Sequence, residues 1–212
     1  MPRILITGFE PFDGRTGNAS WVAARALAAE LADPDVMALE LPVVWDKPKD
    51  LLINAVQECS PELILSMGEG KPGAFQLESL ARNARKPRAD NNDNFPAAAL
   101  IEPAGVAEVS SSVNLDNVCK LLAEKAIPTK VSTDAGGFLC EETFYSLEVF
   151  CMGLPTVAAV MFVHLPPLGT ELSFKNRVRS CDGDLLLEFG LDLFAIVTAL
   201  HEMNLLLSEK VN

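Results

Sequence analysis

Two residues, Cys140 and His164, combine a reactive side chain with a place at the end of a predicted element. Cys140 follows a glycine-containing loop, residues 134–139, and precedes Glu141-Glu142-Thr143, which is typical of the first turn of a helix. Unpaired backbone N–H groups and the helix dipole stabilise an anion there, and therefore favour the thiolate that acts as a nucleophile. The same N–H groups are suited to forming an oxyanion hole.

The chain has two histidines, and they occupy different kinds of position. His164 ends an apolar run and is followed by Leu165-Pro166-Pro167, so the chain must leave the sheet just after the imidazole. His201 lies within the helical pattern Ala199-Leu200-His201-Glu202-Met203, for which a structural role is favoured. Histidine is the side chain best suited to general-base work near neutral pH. His164 is therefore the candidate base, with a packed strand-end residue as the alternative.

Cysteine usage offers a structural alternative for Cys140 as well, because an isolated cysteine is usually a small buried hydrophobe. We assign that role to Cys59, Cys119, Cys151 and Cys181. The five cysteines are an odd number without CxxC pairs, so we expect reduced thiols. No zinc spacing is present, and residues 90–93 lack the alternating ligands of a calcium loop, so we predict no metal.

The elements that position these residues alternate between strand-like and helix-like patterns from one end of the chain to the other. We predict strands at residues 3–7, 36–41, 63–67, 129–133 and 156–164, and helices at 19–31, 47–58, 114–126, 140–152 and 185–207. Continuous apolar strands of this kind suit a parallel sheet covered on both faces. The prediction is a single α/β domain over residues 1–212, built as a three-layer α/β/α sandwich with a mostly parallel central sheet.

In such a sheet, ligands bind outside the carboxyl ends of the strands. The loops predicted there are residues 8–18, 68–92 and 134–140, together with the segment after His164. Two of these loops are rich in glycine, but residues 8–16 depart from the phosphate-loop pattern and residues 68–73 from the dinucleotide-binding pattern. We therefore predict no cofactor.

Composition narrows the classes of partner. The chain is 49% hydrophobic and 22% charged, as folded globular proteins are, and its net charge of −12 argues against binding nucleic acid or anionic membranes. Residues 185–207 contain Glu188, Asp192 and Glu202, which argues against a membrane span. The amino terminus has no apolar signal region, so we expect a cytoplasmic protein.

With Cys140 and His164 singled out, the residues around them resemble the pyroglutamyl peptidase I family of cysteine peptidases along nearly the whole chain. Four blocks carry the resemblance. They are Thr7-Gly8-Phe9-Glu10-Pro11-Phe12 with Asn18-Ala19-Ser20-Trp21; Leu41-Pro42-Val43-Val44-Trp45; Glu78 with Asn83, Arg88, Asp90 and Asn91-Asn92; and residues 134–140 joined to Phe162-Val163-His164-Leu165-Pro166.

The resemblance implies a catalytic triad in which Cys140 is the nucleophile, His164 the base and Glu78 the group that orients the histidine. It also implies an apolar pocket for the pyroglutamyl ring, walled by Phe9, Phe12 and Phe138 and completed by backbone groups around Glu69, with Arg88 nearby. Aromatic walls with few polar contacts suit a flat, nearly uncharged ring. A homotetramer is a further implication of the family.

Four positions depart from the family pattern: Glu141 replaces the Asn after the nucleophile, Ser79 an Arg, Asp13 a glycine and Ala19 a Pro. An acidic Glu141 beside Cys140 is expected to oppose the thiolate, although a carboxylate at a helix start also suits the dipole. The favoured function is removal of an amino-terminal pyroglutamyl residue from peptides through a thiol acyl-enzyme. The alternatives are a related cysteine amidohydrolase acting on another small substrate, and a non-catalytic binding protein of the same fold.

Overall fold

The structure is a computed structural model, and it describes residues 3–207. The first half of the chain contains β1 (Ile4–Phe9), α1 (Ala19–Leu31), β2 (Val36–Leu41), α2 (Lys47–Cys59), β3 (Leu63–Glu69), β4 (Phe75–Glu78) and β5 (Leu80–Arg82). The second half contains β6 (Glu108–Ser110), α3 (Leu115–Glu124), β7 (Thr129–Ser132), α4 (Leu139–Cys151), β8 (Ala159–Leu165), β9 (Glu171–Phe174), β10 (Arg177–Ser180) and α5 (Gly183–Glu202).

Six of these strands form the central sheet, in the order β2-β1-β3-β8-β4-β7. Strands β2, β1, β3 and β8 are parallel, whereas β4 runs antiparallel to β8 and parallel to β7. The sheet is therefore mixed but mostly parallel, which confirms the predicted α/β class. The pairs β5–β6 and β9–β10 are separate two-stranded antiparallel ribbons.

Both faces of the sheet are covered by helices, as the predicted sandwich requires. On one face, side chains of α1, α3 and α5 pack against alternate residues of β8, such as Met161 and Val163. On the other face, α2 and α4 pack against the alternating set of β8 residues, which includes Val160 and Phe162. Burial on both faces explains why β8 reads as a continuous apolar run instead of an alternating one.

The predicted bounds of α1 and β2 are those of the structure, but other predictions are wrong. The segment after His164 was expected to be a loop, yet it contains the short strands β9 and β10. Residues 68–92 were expected to form one loop, yet they contain β4 and β5. These strands are four and three residues long, too short for a periodic pattern to stand out. The last helix begins earlier than predicted, at Gly183, and ends earlier, at Glu202. Within residues 3–207, no helix has the length and apolar character needed to cross a membrane.

Candidate active site

Antiparallel pairing of β4 with β8 brings His164 and Glu78 together. Gln76 pairs with His164 in the ladder, so Glu78, two residues further on, is a diagonal neighbour of the imidazole on the same face of the sheet. Nδ1 of His164 lies 2.7 Å from Oε1 of Glu78, and the glutamate is fully buried. With Nδ1 donating to this carboxylate, Nε2 is free to interact with a group on the opposite edge of the ring.

Helix α4 supplies the thiol. Cys140 was predicted to begin the helix and is its second residue, within the first turn, and the helix has no side-chain cap because Phe138 stands at the N-cap position. The N–H groups of the first turn therefore lack an acceptor from a capping side chain. The Cys140 sulfur and the His164 ring both lie within 3.2 Å of the position that a Cβ atom on Gly68 would occupy, so the thiol stands beside the imidazole, and Glu78 contacts the ring at Nδ1.

Two glycines at the end of β3 make room for this arrangement. A Cβ atom added at Gly68 would lie 2.6 Å from the Cys140 sulfur, and one added at Gly70 would lie 2.7 Å from Cβ of His164. Any side chain at either position would displace the thiol or the imidazole. The sequence predicts only a glycine-rich loop here, although glycines that directly follow an apolar strand are also a signal of close packing.

The electrostatics of the triad favour an ion pair. Burial alone would lower the pKa of His164, but the neighbouring Cys140 sulfur and the Glu78 carboxylate together raise the pKa above its ordinary value. The protonated form of His164 is therefore favoured at this site. A thiolate–imidazolium pair is the reactive form of a cysteine nucleophile.

A cavity of about 220 Å³ opens onto the thiol and the imidazole. Seven of the eight predicted site residues line it: Phe9, Phe12, Glu69, Arg88, Phe138, Cys140 and His164. Glu78 does not, because it is buried behind the histidine. His201 lies elsewhere, on α5, with its Nε2 3.8 Å from Oε2 of Glu62.

The predicted pocket has aromatic walls and few polar contacts, but four charged residues also line the cavity: Glu69, Lys71, Arg88 and Asp134. Two of these charges are neutralised locally. The guanidinium of Arg88 lies 4.4 Å from the centre of the Phe138 ring and pairs with Asp13 at 2.6 Å. The Glu69 carboxylate pairs with Arg15 and accepts a hydrogen bond from the backbone N–H of Ala19 at 3.0 Å.

Comparison with known proteins identifies the family to which this geometry belongs. Residues 2–182 match the family model described as pyroglutamyl peptidase. The chain belongs to the pyroglutamyl peptidase family. A pyrrolidone-carboxylate peptidase of Bacillus thuringiensis subsp. konkukian is 32% identical over 177 residues, covering 82% of each chain. One of Bacillus licheniformis is 30% identical over 206 residues, covering 96% of this chain and 95% of the relative.

Solved structures of the family have the same fold. Pyroglutamyl peptidase I from Bacillus amyloliquefaciens superposes with a TM-score of 0.81 at 26% identity, covering 95% of this chain and 98% of that one. A mutant pyrrolidone carboxyl peptidase from Pyrococcus furiosus superposes with a TM-score of 0.80 at 26% identity, covering 94% and 99%. The predicted resemblance is thereby confirmed.

Glu141 and Ser79, the two residues beside the triad that differ from the family pattern, form hydrogen bonds with the backbone. Glu141 is buried, and its carboxylate accepts hydrogen bonds from the backbone N–H groups of Arg82, at 2.6 Å, and Gly137, at 3.0 Å. Ser79 donates its hydroxyl to the carbonyl oxygen of Ser132 at 2.9 Å. The Glu141 carboxylate therefore joins β5 to the loop that precedes the nucleophile, and two N–H dipoles offset its charge.

Gln76 is a residue that the sequence reasoning missed. It lines the cavity from β4, is 7% exposed, and lies on the face of the sheet that carries Glu78 and His164. Within residues 3–207 its side-chain amide forms no hydrogen bond, and its polar atoms are open to the cavity. An amide in this state is suited to binding a polar group of a ligand.

Proposed function

We propose that this chain is a cysteine peptidase that removes the amino-terminal pyroglutamyl residue from peptides. The observation that carries the proposal is the His164 imidazole lying between the Cys140 thiol and the Glu78 carboxylate beside a cavity with phenylalanine walls. Membership of the pyroglutamyl peptidase family supports the same activity. An intact triad argues against the non-catalytic alternative.

In the first step, the Cys140 thiolate attacks the carbonyl carbon that joins the pyroglutamyl ring to the next residue. The tetrahedral oxyanion accepts hydrogen bonds from first-turn N–H groups of α4, which have no side-chain cap. The His164 imidazolium donates its proton to the leaving amine as the C–N bond breaks. A thioester between Cys140 and the pyroglutamyl group remains.

In the second step, water attacks the thioester carbonyl while neutral His164 accepts a proton from that water. Collapse of the tetrahedral intermediate breaks the C–S bond, releases pyroglutamate and regenerates the thiolate and imidazolium. Glu78 contacts neither the substrate nor the sulfur. Its role is to hold the ring and to stabilise the imidazolium through Nδ1.

Ring recognition rests on the cavity walls and on Gln76. The lactam of a pyroglutamyl ring presents its N–H and C=O groups side by side, and a carboxamide presents C=O and NH₂ groups with matching spacing. Gln76 can therefore exchange two hydrogen bonds with the ring, whose faces lie against Phe9, Phe12 and Phe138. An open-chain glutamyl or glutaminyl residue would bring a charge whose burial without a partner is costly.

The test is hydrolysis of a fluorogenic pyroglutamyl amide compared with the alanyl, glutaminyl and glutamyl amides. We expect cleavage of the pyroglutamyl amide alone, abolished by Cys140→Ala and by His164→Ala. Cys119→Ala, on α3, is the matched cysteine control and should retain full activity. Cleavage of another small cyclic amide in preference would favour the related amidohydrolase. A folded enzyme that cleaves none of the amides would favour the binding protein.

Three further predictions belong to the proposal. A single domain over residues 1–212 is supported by strands from both halves of the chain sharing one sheet. A cytoplasmic location is supported by the five free cysteines. Assembly as a homotetramer follows from the family resemblance alone, and light scattering of the purified protein tests it.

A further inference from the structure

A second cavity lies at the far ends of the two elements that carry the nucleophile and the base. It is lined by Cys151, the last residue of α4, and by Ala159, the first residue of β8. From the rise per residue of a helix and of a strand, these ends lie about 16 Å from Cys140 and from His164. The cavity has a volume of about 880 Å³, within the range of small-molecule sites.

The cavity has an apolar side and a polar side. Leu154, Val157 and Val160 contribute apolar surface, and Met152 is 70% exposed. The polar side consists of three consecutive serines, Ser110-Ser111-Ser112, and of Glu148. We refer to this space as the Glu148 cavity.

Glu148 is 4% exposed and is only half satisfied by the protein. Its Oε1 accepts a hydrogen bond from the backbone N–H of Ser112 at 3.0 Å and lies 3.4 Å from that residue's hydroxyl. Within residues 3–207, Oε2 has no hydrogen-bond donor, and no lysine, arginine or histidine forms an ion pair with Glu148. A buried carboxylate without a cation is costly, so this oxygen is available for a ligand.

The other ionisable group at the cavity does not compete for a cation. Burial raises the pKa of the Cys151 thiol to about 12, so this group is neutral near physiological pH. Glu148 is thus the group that can become an anion here. Burial raises its pKa to about 8, against the opposing effect of the Ser112 hydrogen bonds. A bound cation would stabilise the ionised form.

We propose that the Glu148 cavity binds a small molecule that carries a protonated amine on an apolar body. The ammonium group would donate to Oε2 of Glu148, and the apolar body would lie against Leu154 and Val157. The geometry accounts for both halves of such a ligand, since the carboxylate and the apolar walls line the same space. The net charge of −12 also favours cations over anions.

The test is calorimetric titration with benzylamine and, as an uncharged probe of equal size, benzyl alcohol. At about pH 8.5 a large share of Glu148 is ionised while an alkylammonium stays protonated. We expect benzylamine to bind at least about tenfold more tightly than benzyl alcohol, the effect of one charge-assisted hydrogen bond. Glu148→Gln should reduce the affinity for benzylamine to that for the alcohol.

Two controls distinguish this site from others. Leu154→Trp narrows the cavity without touching Glu148, and it should weaken both probes. If Glu148→Gln does not fold, the affinities of Leu154→Trp for the two probes test the site instead. Enzyme alkylated at Cys140 should bind benzylamine as before. The proposal is overturned if the two probes bind equally, if neither binds, if either variant keeps full affinity for benzylamine, or if alkylation abolishes binding.

Discussion

The hydrogen bond between the Glu141 carboxylate and the loop before Cys140 allows a test of what positions the nucleophile. Glu141→Ala removes the acceptor of two backbone N–H groups, those of Arg82 and Gly137. A buried donor left without an acceptor costs about 1–3 kcal/mol, so the two together amount to roughly 2–6 kcal/mol of unfolding free energy. We expect urea unfolding to register a loss in this range.

Activity should fall as well, because the neighbours of Gly137 on both sides, residues 134–136 and 138–140, line the cavity at the nucleophile. The hydrogen bond to Gly137 alone is worth about 1–3 kcal/mol, so kcat/KM for a pyroglutamyl amide should drop about 5- to 150-fold. Glu141→Gln preserves the length of the side chain and should retain more activity than Glu141→Asn, which is one methylene shorter. Glu124→Ala, an exposed glutamate on α3, is the control for loss of a charge.

The opposite outcome would be informative. If Glu141→Ala or Glu141→Asn raises kcat/KM while stability is unchanged, the carboxylate opposes the Cys140 thiolate, as its position in the sequence suggested. The interpretation of Glu141 as a positioning residue would then be refuted. A loss of stability without any change in kcat/KM would limit its role to the fold.

The remaining predictions concern the triad, the ring pocket and the buried acids. Glu78→Gln removes a charge that raises the pKa of His164, so the alkaline limb of the kcat/KM profile should move to lower pH; an unmoved limb contradicts the assignment. Gly68→Ala forces the thiol aside and should lower kcat about a hundredfold in a folded protein. Gln76→Leu should lower kcat/KM for pyroglutamyl amides roughly 5- to 150-fold, the effect of two lost hydrogen bonds, and a smaller change would remove Gln76 from ring recognition. Because burial raises the pKa of Glu148 from 4.5 to about 8, the folded state holds a proton that the unfolded state releases. Stability should therefore fall as pH rises from about 5 to 8, by at most about 1.4 kcal/mol per pH unit, and Glu148→Gln should remove that part of the loss in urea titrations.

Elements with strong local signals could be predicted from the sequence. Helix α1 begins where Asn18 caps it, with Oδ1 accepting from the N–H of Ser20, and its small apolar residues recur on one face. Strand β8 was found because both of its faces are buried. Cys140 and His164 were found because each stands at the end of such an element.

Features that depend on pairing between distant segments could not be predicted in this way. Glu78 lies 86 residues before His164, and they meet because β4 is antiparallel to β8 in an otherwise parallel region. Only the family resemblance pointed to Glu78. The bonds of Glu141 and the unpaired amide of Gln76 likewise follow from tertiary contacts that no local pattern encodes.

The central claim is that the Cys140 sulfur attacks the pyroglutamyl carbonyl, and an acid-quenched reaction tests it most directly. Enzyme stopped during turnover of a pyroglutamyl amide is digested, and the peptides are analysed by mass spectrometry. We predict that the peptide containing Cys140 gains the mass of one pyroglutamyl group, and that His164→Ala enzyme gains none. Product formation without that adduct, or an adduct on Cys59, Cys119, Cys151 or Cys181, would contradict the account.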